Sequence, residues 1–149
     1  MKKKILILLI VLAVLSLVAC NTESGTNTEI VDENENLIEV NVKDKELLNR
    51  SEKISDWVVE LYGVDDATTI VFNNDAYIGV VLAFDQEYTE ELENTIIYQV
   101  KEKDASIENV KVTNNSKTFG EISDVVFNLL QGKSYDSQVK DINKIANKF

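Results

Sequence analysis

The stretch ATTIVFNNDAYIGVVLAF, residues 67–84, decides the fold of this chain. Two runs of β-branched and aromatic residues, which are typical of β-strands, flank a short polar segment. That segment is Asn73-Asn74-Asp75, and these residue types tolerate the positive φ angles of a hairpin turn. The sequence therefore predicts a β-hairpin near the middle of the chain.

On both sides of this hairpin, apolar residues recur at the spacing of an α-helix. Residues 45–62 place most of their apolar side chains on one helical face. Asp44 is the predicted cap of this helix, and Gly63 is the left-handed residue that ends it. Thr89 is predicted to begin a second helix, and residues 107–114, IENVKVTN, predict a third strand.

Two more helices complete the predicted domain. The sequence Thr118-Phe119-Gly120-Glu121 fits a capping box and predicts a helix that continues through Leu130. Gly132 is the predicted end of that helix. A short amphipathic C-terminal helix follows, marked by Val139, Ile142, Ala146 and Phe149.

These elements predict an α+β domain over residues 43–149, with the order α-β-β-α-β-α-α. A small three-stranded mixed sheet, covered on one face by helices, is the economical way to bury such apolar stripes. A right-handed crossover makes the second and third strands parallel. We expect the first strand to lie between them.

Residues 1–19 have the composition of a secretory signal peptide. Three lysines at positions 2–4 precede a run that is apolar apart from Ser16. Leu17-Val18-Ala19-Cys20 then resembles the bacterial lipobox, in which the cysteine thiolate accepts diacylglycerol. Cys20, the only cysteine, is therefore the predicted lipidation site and membrane anchor. An uncleaved signal anchor is the alternative, and both interpretations place the remaining chain outside the cytoplasmic membrane.

Residues 20–42 predict a lipidated N-terminus followed by a flexible acidic tether. Beyond its cysteine this segment contains six acidic and no basic residues, so it repels itself and an anionic lipid surface. Residues 32–36, DENEN, imitate the start of an EF-hand loop, but Leu37 and Lys43 stand where that loop requires glycine and glutamate. We interpret them as linker. A short edge strand over residues 38–42 is left open.

Acidic clusters are the only groups in the sequence with catalytic or metal-binding potential, since histidine is absent. Asp65-Asp66 follows the first helix and is interpreted as a solvated turn. A larger cluster crowds the start of the second helix: Asp85, Glu87, Glu90, Glu91 and Glu93. There carboxylates complement the helix dipole, and acid–base chemistry by a carboxylate pair is the alternative. We predict no catalytic residue, no metal site and no cofactor.

Two aromatic residues and three lysines have structural interpretations. Trp57 and Tyr77 fall in apolar runs and are predicted to be core aromatics with a satisfied polar atom. Lys140, Lys144 and Lys148 lie four residues apart on the C-terminal helix. These lysines are interpreted as a solvated face, with contact to anionic lipid or polymer as the alternative.

Charge is distributed unevenly along the chain, whose formal net charge is −11. Residues 54–100 contain ten acidic and no basic residues, whereas residues 101–149 contain seven acidic and eight basic ones. This asymmetry predicts orientation toward a partner or toward copies of the same chain. Beyond residue 19 the chain has 26 acidic and 12 basic residues, which argues against nucleic-acid binding because phosphate contacts need basic surfaces.

Two stretches, WVVELYGVDDATTIVFNNDAYIGVVL (57–82) and KEKDASIENVKVTNN (101–115), resemble the YhcN/YlaJ type of sporulation lipoprotein. The resemblance extends over residues 45–149, and an ordered set of residues carries it: Gly63, Val64, Ala67, Ala76, Tyr77, Gly79, Val80, Asp104, Ile107, Val110, Val112 and Gly132. The chain departs from the family pattern at Ala105, Asn115 and Ser134, in regions where the family often carries proline.

The resemblance implies a lipid-anchored protein of spore-forming Gram-positive bacteria, associated with the spore membrane and with sporulation or germination. It implies no catalytic residue. Together with Cys20, it favours a non-catalytic interaction or assembly module of the spore or cell envelope. Its expected partners are the membrane and either a second copy or another envelope protein. An extracytoplasmic lipoprotein that binds a small ligand or cation is the alternative, and a hydrolase with paired carboxylates is a third hypothesis.

Overall fold

The computed structural model describes residues 42–149. Its helices and strands are α1 (Val42–Val59), β1 (Val64–Phe72), β2 (Asp75–Leu82), α2 (Glu90–Lys103), β3 (Asn109–Thr113), α3 (Ser116–Leu130) and α4 (Tyr135–Ala146). This is the predicted order, and the α+β class with a three-stranded mixed sheet is confirmed. None of the helices in residues 42–149 combines the length and the apolar character that crossing a bilayer requires.

The hairpin of β1 and β2 has a two-residue turn. Asn73 and Asn74 have φ angles of 51° and 65°, and Phe72 pairs with Asp75 across the turn. Asp75 is thus the first residue of β2 rather than part of the turn. Asparagine suits both turn positions because its short side chain tolerates the left-handed conformation. The predicted hairpin is confirmed.

The sheet has the order β1-β2-β3, so the second strand of the hairpin lies in the middle. β2 pairs antiparallel with β1 and parallel with β3, which confirms the predicted parallel pair. The prediction that the first strand lies in the middle is wrong. The outer edge of β1 is occupied by α1, where the buried Ser51 Oγ accepts a hydrogen bond from the Val71 amide at 2.9 Å. β3 therefore joins the sheet at the free edge of β2.

Helices pack against both faces of the sheet, where a single covered face was predicted. Consecutive residues of a strand point to opposite faces. Val71 packs with apolar residues of α1 and α2 such as Ile54, whereas Ile70 packs with residues of α3 and α4 such as Ile122. The reason is that β1 is buried without interruption over residues 68–71, so both of its faces need a cover.

α3 approaches the sheet closely at Gly79 of β2. A Cβ atom on Gly79 would lie 3.0 Å from the Cα atom of Phe119 and 3.1 Å from a carbon of its ring. Glycine is needed at this position because a backbone atom of α3 has no flexible end that could move aside. The missing side chain therefore lets α3 lie directly on the central strand.

Two predicted helix ends are confirmed, and a third is displaced. Thr89 caps α2, and its Oγ1 accepts a hydrogen bond from the Leu92 amide at 3.2 Å. Gly132 follows the C-cap of α3 with a φ angle of 84°, which is the left-handed conformation expected after a helix. Gly63 is also left-handed, with a φ angle of 95°, but α1 already ends at Val59, so Gly63 belongs to the turn that leads into β1 rather than to the end of the helix.

The predicted start of α1 is wrong. Val42 and Lys43 are already helical, so Asp44 lies inside α1 rather than at its cap. The Asp44 carboxylate instead accepts a hydrogen bond from the Tyr135 amide at 3.0 Å and so supports the start of α4. Val42 is helical and exposed, which rules out an edge strand that includes it. Residues 38–41, the rest of that alternative, lie outside the described residues.

The predicted capping box at the start of α3 is not formed. The helix begins at Ser116, three residues after the end of β3. Asn115 caps it, since its Oδ1 accepts hydrogen bonds from the amides of Lys117 and Thr118. Thr118 lies inside the helix and is buried. An asparagine cap one turn earlier is available, so the helix gains a further turn.

Candidate interaction surface

Two loops meet at the end of the sheet where β1 begins and β2 ends. Val64 pairs with Leu82, and the Ala83 amide donates a hydrogen bond to the Gly63 carbonyl at 3.0 Å. The connection from α1 to β1 and the connection from β2 to α2 therefore run side by side. The left-handed conformation of Gly63 lets the first connection turn directly into β1.

These two loops expose a pair of aromatic side chains. Tyr62 is 89% exposed and Phe84 is 92% exposed, although rings of this size ordinarily bury much of their surface. Sequence analysis missed both residues. The signal that could have found them is their position, because each adjoins a left-handed loop residue, Gly63 or Asp85, rather than the apolar pattern of a helix or strand.

A shallow groove runs from Tyr62 along α2, and Phe84 lies in the adjoining loop without lining it. Its first part is a cavity of about 490 Å³ lined by both loops and by the beginning of α2. Its second part lies between Glu90 and Tyr98 on the exposed side of α2. Glu91 and Thr95 line both parts, so the groove is continuous. The acidic aromatic surface is defined as Tyr62, Phe84, Glu87, Glu90, Glu91 and Tyr98.

Thr89 determines where the acidic residues of α2 lie. Because its side chain caps the helix, Glu90, Glu91 and Glu93 fall in the first turn, where carboxylates interact favourably with the helix dipole. Glu90 and Glu91 are exposed, whereas Glu93 is half-buried. Burial, together with the nearby carboxylate of Glu93, raises the pKa of Tyr88. The acidic cluster predicted from the sequence is therefore divided: Glu90 and Glu91 face solvent, whereas Glu93 is partly covered by the protein.

The carboxylates of the acidic aromatic surface have no cationic partner in residues 42–149. The ion pairs of this part of the chain lie elsewhere: Arg50 with Asp104, Lys103 with Glu60, and Glu121 with Lys144 and Lys148. The nearest sequence offers no alternative, since residues 54–100 contain no lysine or arginine. The negative field at this end of the sheet therefore remains available to a cation from another molecule.

Asp65 and Asp66 lie at the same end of the sheet but do not line the groove. Both are exposed, and Asp66 Oδ1 accepts a hydrogen bond from the Ala67 amide at 2.8 Å. The strand register shifts at this point, as in a β-bulge. Across residues 42–149, no three potential metal-ligating side chains come together. The two aspartates are solvated, as the sequence predicts, but they lie in β1 rather than in a turn.

The C-terminal lysines divide into two kinds. Lys144 and Lys148 both contact the Glu121 carboxylate of α3, Lys144 at 3.5 Å. The hydrogen bond from Lys148 is the main cause that lowers the pKa of Glu121. Lys140 is exposed, as the interpretation of a solvated face requires. The other two join α4 and the residues that follow it to α3, which the spacing of four residues did not indicate.

Arg50 connects α1 to the segment between α2 and β3, a contact that sequence analysis missed. Its Nε donates a hydrogen bond to Asp104 Oδ2 at 2.9 Å, and its Nη2 donates one to Ser106 Oγ at 2.5 Å. Burial opposes ionisation of Asp104, but hydrogen bonds from Ser106 and Arg50 outweigh it and lower the pKa of this carboxyl. The available signal was that Arg50 is the only arginine of the chain.

The two predicted core aromatics are half-buried and lie at the margins of the core. The Lys103 ammonium group lies 5.3 Å from the centroid of the Trp57 ring, a cation–π arrangement. The Tyr77 hydroxyl donates to Asp75 Oδ2 at 3.4 Å, and the Tyr77 ring lies 5.7 Å from that of Phe149. Burial, with a contribution from Asp75, raises the pKa of Tyr77.

A second exposed apolar pair lies on α3 and differs in its surroundings. Phe127 is 61% exposed and Leu130 is 53% exposed. Phe127 lines a cavity of about 340 Å³ between α3 and α4, together with Asp124, Asp141 and Lys144. Charges of both signs stand beside this pair, so it lacks the uniform negative field of the acidic aromatic surface.

The family model described as Sporulation lipoprotein YhcN/YlaJ matches residues 17–149. The chain belongs to this family, which confirms the resemblance seen in its sequence. It is therefore a lipoprotein of the sporulation class, and membership implies association with a membrane. The matched region begins at Leu17 and so includes the predicted lipobox with Cys20. Cys20, the signal peptide over 1–19 and the tether up to residue 41 lie outside the residues that the structure describes.

Two solved structures are similar to part of the chain. A variant of the MamM CTD is 20% identical with a TM-score of 0.31, and the match covers 49% of this chain and 92% of that one. The copper form of the MamM CTD is 21% identical with a TM-score of 0.29, covering 46% of this chain and 80% of that one. None of the curated proteins matches the chain.

Proposed function

We propose that this protein is a lipid-anchored component of the spore or cell envelope whose domain is a non-catalytic interaction module in sporulation or germination. Family membership supports the lipoprotein class and the link to sporulation. The observation that carries the proposed role is the acidic aromatic surface, where Tyr62 and Phe84 are almost fully exposed. Exposed aromatic side chains of this kind are the usual centres of protein–protein contacts.

The anchor in this proposal is a diacylglyceryl group on Cys20, with residues 1–19 removed as a signal peptide. Each buried methylene contributes about 0.8 kcal/mol, so one acyl chain binds marginally whereas two chains hold a protein stably at a membrane. The acidic tether that follows keeps the domain at a distance from anionic lipid. The protein then faces the space outside the cytoplasmic membrane.

The geometry of the domain fits a module that is tethered at one end and binds at the other. Val42 is the first described residue of α1, and Tyr62 lies three residues beyond the end of that helix at Val59. A helix of 18 residues is about 27 Å long. Tyr62 therefore lies beyond the opposite end of α1 from Val42, which supports binding at a distance from the N-terminal side of the domain.

The anchor is tested by mass spectrometry of the native protein. We expect diacylglycerol on Cys20 and loss of membrane association in the Cys20→Ser variant. A fluorescent fusion followed through sporulation tests the setting, with signal expected at the envelope of the developing spore. An unmodified thiol on cytosolic protein, or expression restricted to vegetative growth, contradicts this part of the proposal.

The interaction role is tested by a photo-reactive phenylalanine analogue in place of Phe84 in the full chain. We expect discrete cross-linked products in sporulating cells after irradiation. The same analogue in place of Phe127 is the matched control, because that ring is also exposed but lies on α3. Absence of products from position 84, or equal products from both positions, contradicts an interaction site at the acidic aromatic surface.

A further inference from the structure

We infer that the acidic aromatic surface docks a cationic, arginine-bearing segment of a different polypeptide. This inference rests on the proposed interaction role and names the chemistry of the partner. It follows from three features of the described residues: the exposed rings, the nearby carboxylates without an ion-pair partner, and the net negative charge of residues 42–149, which contain 20 acidic and 12 basic residues.

The exposed rings provide the apolar part of the site. Tyr62 and Phe84 come from adjacent loops, and Tyr98 extends the same surface along α2. Covering these rings removes apolar surface from water, which favours association. Tyrosine also loses little conformational entropy when it is ordered, because its side chain has few rotatable bonds. A partner therefore gains most by placing a flat or apolar group against them.

The carboxylates determine the charge of that group. Glu87, Glu90 and Glu91 are exposed, and none of them takes part in an ion pair within residues 42–149. A guanidinium group is planar, stacks on aromatic faces and forms paired hydrogen bonds with carboxylates. Lysine forms the ion pair but does not stack in the same way. The combination of rings and carboxylates thus favours arginine over lysine.

A second copy of the domain is a poor electrostatic match, because residues 42–149 contain 20 acidic and 12 basic residues. Lysines cluster on α4 and just beyond it, but Lys144 and Lys148 are paired with Glu121. Lys140 is the remaining lysine of that helix and is followed directly by Asp141. Anionic phospholipid is an equally poor partner, because the carboxylates repel its head groups. Charge complementarity therefore assigns the surface to a different, basic polypeptide.

The test is fluorescence anisotropy with the full, lipidated chain in a neutral detergent. The probe is a fluorescein-labelled peptide of six Arg-Gly repeats, and the same peptide with lysine or glutamine in place of arginine gives two comparison probes. We expect saturable binding of the arginine peptide, weaker binding of the lysine peptide and none of the glutamine peptide.

Variants then locate the binding site. The double change Tyr62→Ser with Phe84→Ser, and separately the triple change Glu87→Gln, Glu90→Gln and Glu91→Gln, should each weaken binding by about ten-fold or more. The double change Phe127→Ser with Leu130→Ser should leave the affinity within about two-fold of the original value. All of the altered side chains are exposed, so thermal unfolding should confirm that the variants keep their fold.

Several results overturn the inference. One is binding that survives both test variants, and another is binding that falls equally in the α3 control. An oligomer in sedimentation that the Tyr62→Ser, Phe84→Ser variant dissociates assigns the surface to a second copy. Flotation of the Cys20→Ser chain with phosphatidylglycerol vesicles, if it depends on the same two rings, assigns it to lipid. If peptide binding fails while cross-linking at position 84 succeeds, the cationic partner is wrong and the interaction role stands.

Discussion

The two ends of the sheet use the same residue types for different purposes. At the end with the hairpin turn, charged and aromatic side chains are paired or buried: Arg50 bonds to Asp104 and Ser106, Asp44 accepts from the Tyr135 amide, and Tyr135 is 3% exposed. At the end with the two loops, Tyr62 and Phe84 are almost fully exposed, and Tyr62 lines a cavity together with Glu91. Groups of the first kind hold elements together. Groups of the second kind contribute little to folding, which is why we interpret them as functional.

The largest contrast between the two ends is expected for their aromatic residues. Tyr135→Ala removes a buried ring that packs in the α3–α4 core, and it should lower the free energy of unfolding by about 3 kcal/mol. Phe84→Ala removes an exposed ring and should change this free energy by less than about 0.5 kcal/mol. Urea unfolding of both variants measures the two values. A large loss of stability in Phe84→Ala would mean that the end of the sheet with the two loops also supports the fold.

Replacing a charged residue at the hairpin-turn end should also cost more stability than replacing one at the end with the two loops, but the difference should be smaller than for the aromatic residues. Arg50→Gln removes hydrogen bonds to Asp104 and Ser106, and it should lower the free energy of unfolding by about 1–2 kcal/mol. Glu91→Gln removes an exposed carboxylate without an ion-pair partner in the described residues and should have almost no effect. Equal losses in the two variants would erase the distinction between the ends.

The Thr89 cap of α2 helps to position the end of the sheet with the two loops. Thr89→Ala removes the side-chain acceptor for the Leu92 amide and should destabilise the domain by about 1 kcal/mol. Thr95→Ala is the matched control, because the Thr95 hydroxyl only donates to the Glu91 carbonyl within the same helix. Thermal unfolding compares the two. The Thr89 variant should also bind the arginine peptide less tightly, since the start of α2 carries the acidic residues.

The smallest expected effect is the pH dependence that Asp104 contributes. Its pKa is lower in the folded protein than in the unfolded chain, so the unfolded state binds more protons as the pH falls. The stabilisation is therefore present above the ordinary aspartate pKa of about 4 and is lost as the pH drops through the folded value. Urea unfolding between pH 2 and 6 should show this slope reduced in Asp104→Asn. An unchanged slope would place the dependence on other carboxyl groups.

Features that depend on neighbouring residues could be predicted from the sequence. The hairpin follows from Asn73 and Asn74, which adopt the positive φ angles that its short turn requires. The start of α2 at Thr89 and the end of α3 before Gly132 follow from the oxygen of a threonine cap and the conformational freedom of glycine. Each involves atoms only a few residues apart, so the competing arrangements are few.

Features that depend on distant residues could not be predicted in this way. The strand order was wrong because the outer edge of β1 is occupied by Ser51, 20 residues earlier in the chain. The second covered face of the sheet was missed because two of the four consecutive buried residues over 68–71 are threonines, so the sequence lacks the continuous apolar run that indicates a strand buried on both faces. Asp44 was assigned to the wrong helix because its acceptor oxygen serves the amide of Tyr135, 91 residues away.

The sequence by itself determined the order of the helices and strands, the parallel pairing of the last two strands and the family to which the chain belongs. Those features rest on periodicity, turn residues and motifs that are complete within short stretches. Only the tertiary structure decided which strand lies in the middle, which lysines are paired and which aromatic rings are left in solvent. Each of those outcomes is a competition between contacts far apart in the chain, and its result depends on the packing of every other element.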